Sequence, residues 1–152
     1  MKHPELNYKH FNTTVITNYL EFIKKNFYNK SVIILSVGLP VLDDEHLING
    51  LLNGHINALE STNTKTLKND LLRTELPNIF QRTEITLDFN EQLKNEICNL
   101  NLSNIKFLDI TSFTYNTKLK RIKNKFFTRY DHHNDFRTTF FTKIINKFLK
   151  TL

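Results

Sequence analysis

The chain has 152 residues, 39% of them hydrophobic and 12% aromatic, enough apolar material for one core of ordinary size, which excludes global disorder. Three Gly and three Pro are too few for a turn-dense all-β sandwich or barrel, and the single Cys98 excludes an internal disulfide and a multi-cysteine zinc site. The formal charge of +6 admits an anionic partner, but only clustered charge would point to one.

Met1 to Leu6 holds no apolar segment of the kind that leads a secretory signal. From Asn12 to Tyr28 the residues Val15, Ile16, Tyr19, Leu20, Ile23 and Phe27 recur at helical spacing, with Asn12 or Thr13 placed to cap the first free N–H groups. After a turn at Asn29-Lys30, the run Ser31 to Leu39 is β-branched and continuous rather than alternating. That pattern predicts a central strand of a parallel sheet covered on both faces, stopped by Pro40. Val32 to Leu42 is the longest strongly apolar run and is too short to cross a bilayer. With the lone cysteine, this gives a cytoplasmic chain with no membrane span.

Asp43 or Asp44 then caps a helix through Leu47, Ile48, Leu51 and Leu52, weakened by Gly50 and Gly54. Ser61 to Lys68 reads as a loop or a helix start. Thr83 to Leu87 alternates with a period of two, as a short strand does. Asp88 caps a helix whose inner face carries Phe89, Leu93, Ile97 and Cys98, the thiol acting as a small buried hydrophobe. Ile105 to Ile110 reads as a second buried strand with Asp109 near its C-terminal end. The densest basic cluster, Lys118 to Lys125, is read as a solvated loop or lid tacked down by Leu119 and Ile122, which disfavours nucleic acid as a partner. In the final helix Phe136, Phe140, Phe141, Ile144, Ile145, Phe148 and Leu149 form one apolar stripe. Asp135 at its start and Lys143, Lys147 and Lys150 towards its end oppose the helix dipole.

This order describes a single α/β domain over residues 1–152 with a small parallel sheet and a C-terminal amphipathic helix. A doubly wound domain needs more strands to cover itself, so the chain reads as part of a fold.

Reactive groups concentrate in Phe126 to Asp135, which places Asp131, His132, His133 and Asp135 ahead of the last helix. His133 with Asp131 would make a general base and its orienting carboxylate. The competing reading is a surface loop in which Asp131 or Asp135 caps the helix. A metal site from His132, His133, Asp131 and Asp135 is disfavoured, because adjacent imidazoles diverge and no further ligand motif follows. Asp43-Asp44-Glu45-His46 follows the first strand, at the edge where open α/β sheets bind ligands, though an acidic first helical turn explains it through the dipole alone. Ser36 and Gly38 in the same region can bring backbone near a ligand. No Gly-x-Ser-x-Gly elbow, phosphate loop or dinucleotide fingerprint occurs, so no cofactor is expected.

The order of these segments resembles the C-terminal half of the SGNH (GDSL-like) hydrolases. A helix leads into the apolar strand ending Val37-Gly38-Leu39-Pro40. An Asn-containing helical segment, Phe89-Asn90-Glu91-Gln92-Leu93, precedes a strand ending in an acidic residue, Ile105 to Ile110. Asp131 and His133 then stand before the last helix. The resemblance implies a partial three-layer α/β/α fold of the SGNH or flavodoxin-like kind. It also implies an ester hydrolase acting on an acyl or acetyl ester, of which a carbohydrate is one carrier. Asp131 lies two residues before His133, whereas the family places its Asp three before, where Tyr130 stands here. The Gly-Asp-Ser block and the oxyanion Gly and Asn blocks are absent, so the serine is expected from a missing N-terminal segment or a partner chain, and the isolated chain is expected to be inactive. The alternatives are a non-catalytic module that binds RNA or a polysaccharide through Lys118 to Lys125, and an assembly protein that pairs its open sheet edge with another chain.

Overall fold

The computed structural model describes residues 8–42, 44, 77–126 and 138–151. Helix α1 (Tyr8–Asn26) leads through a turn to strand β1 (Val32–Leu35). Helix α2 (Ile79–Leu100) leads to strand β2 (Ile105–Leu108) and the single helical turn α3 (Thr111–Thr114). Strands β3 (Tyr115–Asn116) and β4 (Arg121–Ile122) make a hairpin, followed by a 3-10 turn (Asn124–Phe126) and, later, helix α4 (Thr138–Leu149).

The two apolar runs expected to be parallel strands are so. Val32 pairs with Ile105 and Leu35 with Leu108, and the Val32 N–H to Asn104 and Ser36 N–H to Leu108 bonds extend the ladder at each end. Successive side chains alternate across the sheet. Val32, Ile34, Ile105 and Phe107 join Ile16, Leu20 and Ile23 of α1 and Leu93 and Ile97 of α2 in one cluster. Ile33, Leu108 and Ile110 join Ile144, Ile145 and Phe148 of α4 in another. A continuous apolar strand is therefore explained by helices that use both of its faces. The chain is a mixed α/β protein, and among the described residues no helix is long and apolar enough to cross a membrane.

Four expectations are corrected. Thr83 to Leu87 is not a strand; it lies inside α2, whose cap, Asn78, stands ten residues before the predicted cap at Asp88. Asn78 Oδ1 accepts the N–H groups of Phe80 and Gln81 at 3.0 Å each, and Gln81 Oε1 accepts the Asn78 N–H at 2.9 Å, a reciprocal capping box. Thr83 and Thr86, which favour strands, donate their hydroxyls to the carbonyls four residues back, so the helix satisfies them itself. Asn12 does not cap α1. The helix runs a turn further back, and Asn12 falls on the buried stripe of Ile16, Leu20 and Ile23, where its Nδ2 has no hydrogen-bond partner. Cys98 is exposed, because the buried stripe of α2 passes through Asn90, Leu93 and Ile97 and leaves the next position outside. Finally, Lys118 to Lys125, read as a solvated loop or lid, belongs to the β3–β4 hairpin and its 3-10 turn, and Ile122 tacks it down as expected.

Candidate functional site

The C-terminal ends of parallel strands are where α/β sheets hold ligands, since the loops there diverge around a crevice. In this chain that edge is built from four polar side chains. Ser36, the residue after β1, is buried, and its Oγ accepts the Ile110 N–H at 2.8 Å, tying the exits of β1 and β2 together. Asn90, buried on α2, accepts the Val37 N–H through Oδ1 at 2.7 Å and donates from Nδ2 to the Val37 carbonyl at 2.8 Å. Asp109, the residue after β2, accepts both the N–H (2.8 Å) and the hydroxyl of Thr111, which starts α3.

Arg82 is the fourth. From the first turns of α2 its guanidinium donates to the carbonyls of Leu42 (2.7 Å) and Pro77 (2.8 Å) and pairs with Asp44 at 2.9 Å. Arg82 was not singled out from the sequence, because its carbonyl partner Leu42 lies 40 residues away and no local spacing announces such a bond. Asp44 belongs to the acidic run after β1, and its role here is as the half-exposed partner of Arg82. Asp43, Glu45 and His46 lie outside the described residues, as does the helix expected through Leu47 to Leu52.

Below this edge, Leu39, Val41 and Leu42 form a buried cluster with Ile122, against which Leu87, Tyr115 and Phe126 pack. The basic hairpin is thereby fastened beside the exit of β1. Ile122 is the fastener, at 0% exposure; Leu119, expected to help, is 41% exposed at the tip instead.

The strand exits and the Asn90 segment named from the sequence thus meet, while the two residues expected to do chemistry, Asp131 and His133, lie outside the described residues with His132 and Asp135. His10 is the one histidine among the described residues and is exposed. Among the described residues no group of three or more His, Cys, Asp or Glu side chains could hold a metal ion. Comparison with protein-family models, with curated proteins and with solved structures found no match.

The polar groups at the strand exits do one thing in common. Each donates to or accepts from backbone of a neighbouring segment, so the edge is a frame that fixes where the following loops start. In such a frame Ser36 uses Oγ as an acceptor, and no histidine is hydrogen-bonded to it among the described residues.

Proposed function

We propose that this chain carries the C-terminal scaffold of an SGNH-type ester hydrolase, acting on an acyl or acetyl ester borne by a carbohydrate in the cytoplasm. The observation that carries the reading is the adjacent, parallel pairing of β1 and β2, with Ser36, Asn90 and Asp109 gathered at their exits. The helices support a partial three-layer α/β/α arrangement of the flavodoxin-like kind: α1 and α2 share one apolar cluster with the sheet, and α4 shares the other. In chain order the Asp131 to His133 run stands ahead of α4, as the resemblance expects.

In this reading His133 takes the proton from a serine hydroxyl as it attacks the ester carbonyl and returns it to the leaving alcohol. Asp131 holds the imidazole tautomer and stabilises the imidazolium. The serine and the oxyanion donors come from an N-terminal segment or a partner chain. A fluorophosphonate probe, which labels activated serines, tests this on the protein isolated with its natural associates. Labelling and ester turnover that both vanish in His133→Ala, with an unchanged unfolding transition, are expected; a variant that labels and turns over like the parent would sink the assignment.

A second reading, a non-catalytic module that binds an anionic partner, is favoured by one observation. The basic segment is an ordered hairpin with an exposed tip rather than a solvated loop.

A further inference from the structure

Between Asp109 and Asp131 the chain carries six basic residues and no acidic one, so the positive charge there has no compensation in the segment itself. The hairpin gives this charge a fixed shape. Tyr115 pairs with Ile122 and Asn116 with Arg121, and the Lys123 N–H extends the ladder to the Thr114 carbonyl at 2.8 Å. At the tip, Asn116 Oδ1 accepts the N–H groups of Lys118 (3.0 Å) and Leu119 (3.1 Å), and Lys120 closes the turn in the left-handed region with φ 49°. Ile122 locks the base of the hairpin into the Leu39, Val41 and Leu42 cluster.

The basic side chains are not equivalent. Lys123 Nζ donates to the Phe113 carbonyl at 2.7 Å, and the Lys125 ammonium lies over the Phe126 ring, 4.8 Å from its centroid. Lys118 and Lys120 are exposed, and between them Leu119 is held 41% exposed. A turn that presents Lys-Leu-Lys in one fixed conformation has little left to order on binding.

We propose that this tip docks on the surface of an anionic lipid bilayer. Leu119 enters the boundary between headgroups and acyl chains, and Lys118 and Lys120 meet the anionic headgroups, while Arg121, half-buried, is bonded to Asn124 at 3.3 Å. The inference names the partner of the binding reading and does not depend on the hydrolase reading. Two features select a bilayer over nucleic acid. Single-stranded nucleic acid is gripped by exposed aromatic faces on which bases stack. The hairpin tip, Thr117 to Lys120, carries no aromatic residue; Tyr115 and Phe126 at its base are half-buried against the Leu39 cluster, with Lys125 over Phe126, and Phe113, 38% exposed, stands ahead of the hairpin rather than at its tip. An exposed aliphatic side chain flanked by lysines suits an interface whose inner part is apolar and whose outer part is anionic. Two exposed cations and one leucine make a weak, reversible contact that fades with salt.

The test is co-sedimentation of the full chain with vesicles of phosphatidylcholine alone, with vesicles of phosphatidylcholine and phosphatidylserine in equal parts, and, separately, binding to a single-stranded RNA homopolymer. The expected result is binding to the anionic vesicles, weakened by salt, with little to the neutral ones. Lys118→Gln and Lys120→Gln should each lower the partition coefficient about fivefold. Leu119→Ser should lower it roughly tenfold with no change in charge. The chain has no tryptophan, so Leu119→Trp is a clean reporter whose emission should shift to the blue on anionic vesicles. Absence of vesicle binding, or binding indifferent to Leu119, overturns the inference. RNA binding that needs the lysines, without vesicle binding, also overturns it while leaving the wider reading of an anionic partner standing.

Discussion

Asn90 joins a helix to the exit of a strand through two hydrogen bonds, and removing it measures how much the frame at the sheet edge contributes to the fold. Its amide forms a ring with the backbone of Val37, at 2.7 Å to the N–H and 2.8 Å to the carbonyl. Each bond contributes about 0.5–1.5 kcal/mol net, so Asn90→Ala should cost roughly 2 kcal/mol. Val37 is 49% exposed, so water reaches part of its freed backbone and keeps the cost below that of a fully buried orphan. With a urea dependence of about 2 kcal/mol/M, the midpoint should fall by roughly 1 M.

Asn90→Asp makes the argument sharper. The carboxylate still accepts the Val37 N–H, but its second oxygen now faces the Val37 carbonyl, oxygen against oxygen. Protonation restores a donor there, so the folded state favours the acid form and raises its pKa above the roughly 3.9 of an unfolded aspartate. The folded variant then binds the extra proton. Its stability is greatest below the unfolded value and is lost as pH rises through the folded one. Urea melts of Asn90→Asp and Asn90→Ala, compared at about pH 4 and about pH 7, should show the aspartate variant losing ground only at the higher pH. An unmoved midpoint in Asn90→Ala, or an aspartate variant that tracks the alanine variant at both pH values, would refute the reasoning.

Asn78→Ala removes the side-chain half of the α2 capping box, leaving the backbone N–H of position 78 bonded to Gln81 Oε1, and should cost about 1 kcal/mol, with Asn78→Gly milder by several tenths, read from thermal melts. Ile122→Ala empties a fully buried site and should cost about 2–5 kcal/mol. Because Ile122 anchors the hairpin, hydrogen exchange of the Lys123 N–H, which is bonded to the Thr114 carbonyl, should quicken at least as much as exchange in α2. Ser36→Ala leaves the buried Ile110 N–H without its acceptor and should cost about 1–3 kcal/mol. If Ser36→Ala instead abolished fluorophosphonate labelling at unchanged stability, Ser36 would be the nucleophile and the serine would not come from elsewhere.

The two strands were legible because a continuous run of Val, Ile and Leu has few homes other than a sheet covered on both faces, and the covering clusters show why. The start of α2 was not. Its stripe passes through Ile79, Thr83 and Asn90, and two of those three are polar residues that a hydrophobic periodicity omits. Thr83 is buried because its hydroxyl is satisfied within the helix, a bond that exists only once the helix does. Cys98 failed for the complementary reason: an apolar side chain beside a buried position gains nothing if the stripe has already turned away. Ile122 was read as tacking the basic segment down and it does so, but the strand pairing around it was not read, because charge density suggested a solvated loop. Asp131 and His133 were chosen on residue type and order alone, and the described residues neither add to that choice nor subtract from it.

The edge of the sheet shows why the frame and the chemistry have to be argued separately. Ser36, Asn90, Asp109 and Arg82 are the residue types that catalytic sites use, and at the C-terminal ends of parallel strands they would ordinarily be read as candidates. Yet their bonds run to Ile110, Val37, Thr111, Leu42, Pro77 and Asp44, mostly to backbone. A side chain that fixes backbone is held in one rotamer, which suits a support and hinders a group that must gain and lose a proton during turnover. The hydrolase reading therefore requires its proton-transfer groups to lie outside the frame, and Asp131 with His133 is the pair that reading names, outside the described residues. The bilayer inference makes no such demand. It uses charges and a leucine that stand outside the frame, on a hairpin that Ile122 fastens to it, so loss of vesicle binding in Leu119→Ser should leave every stability measured above unchanged.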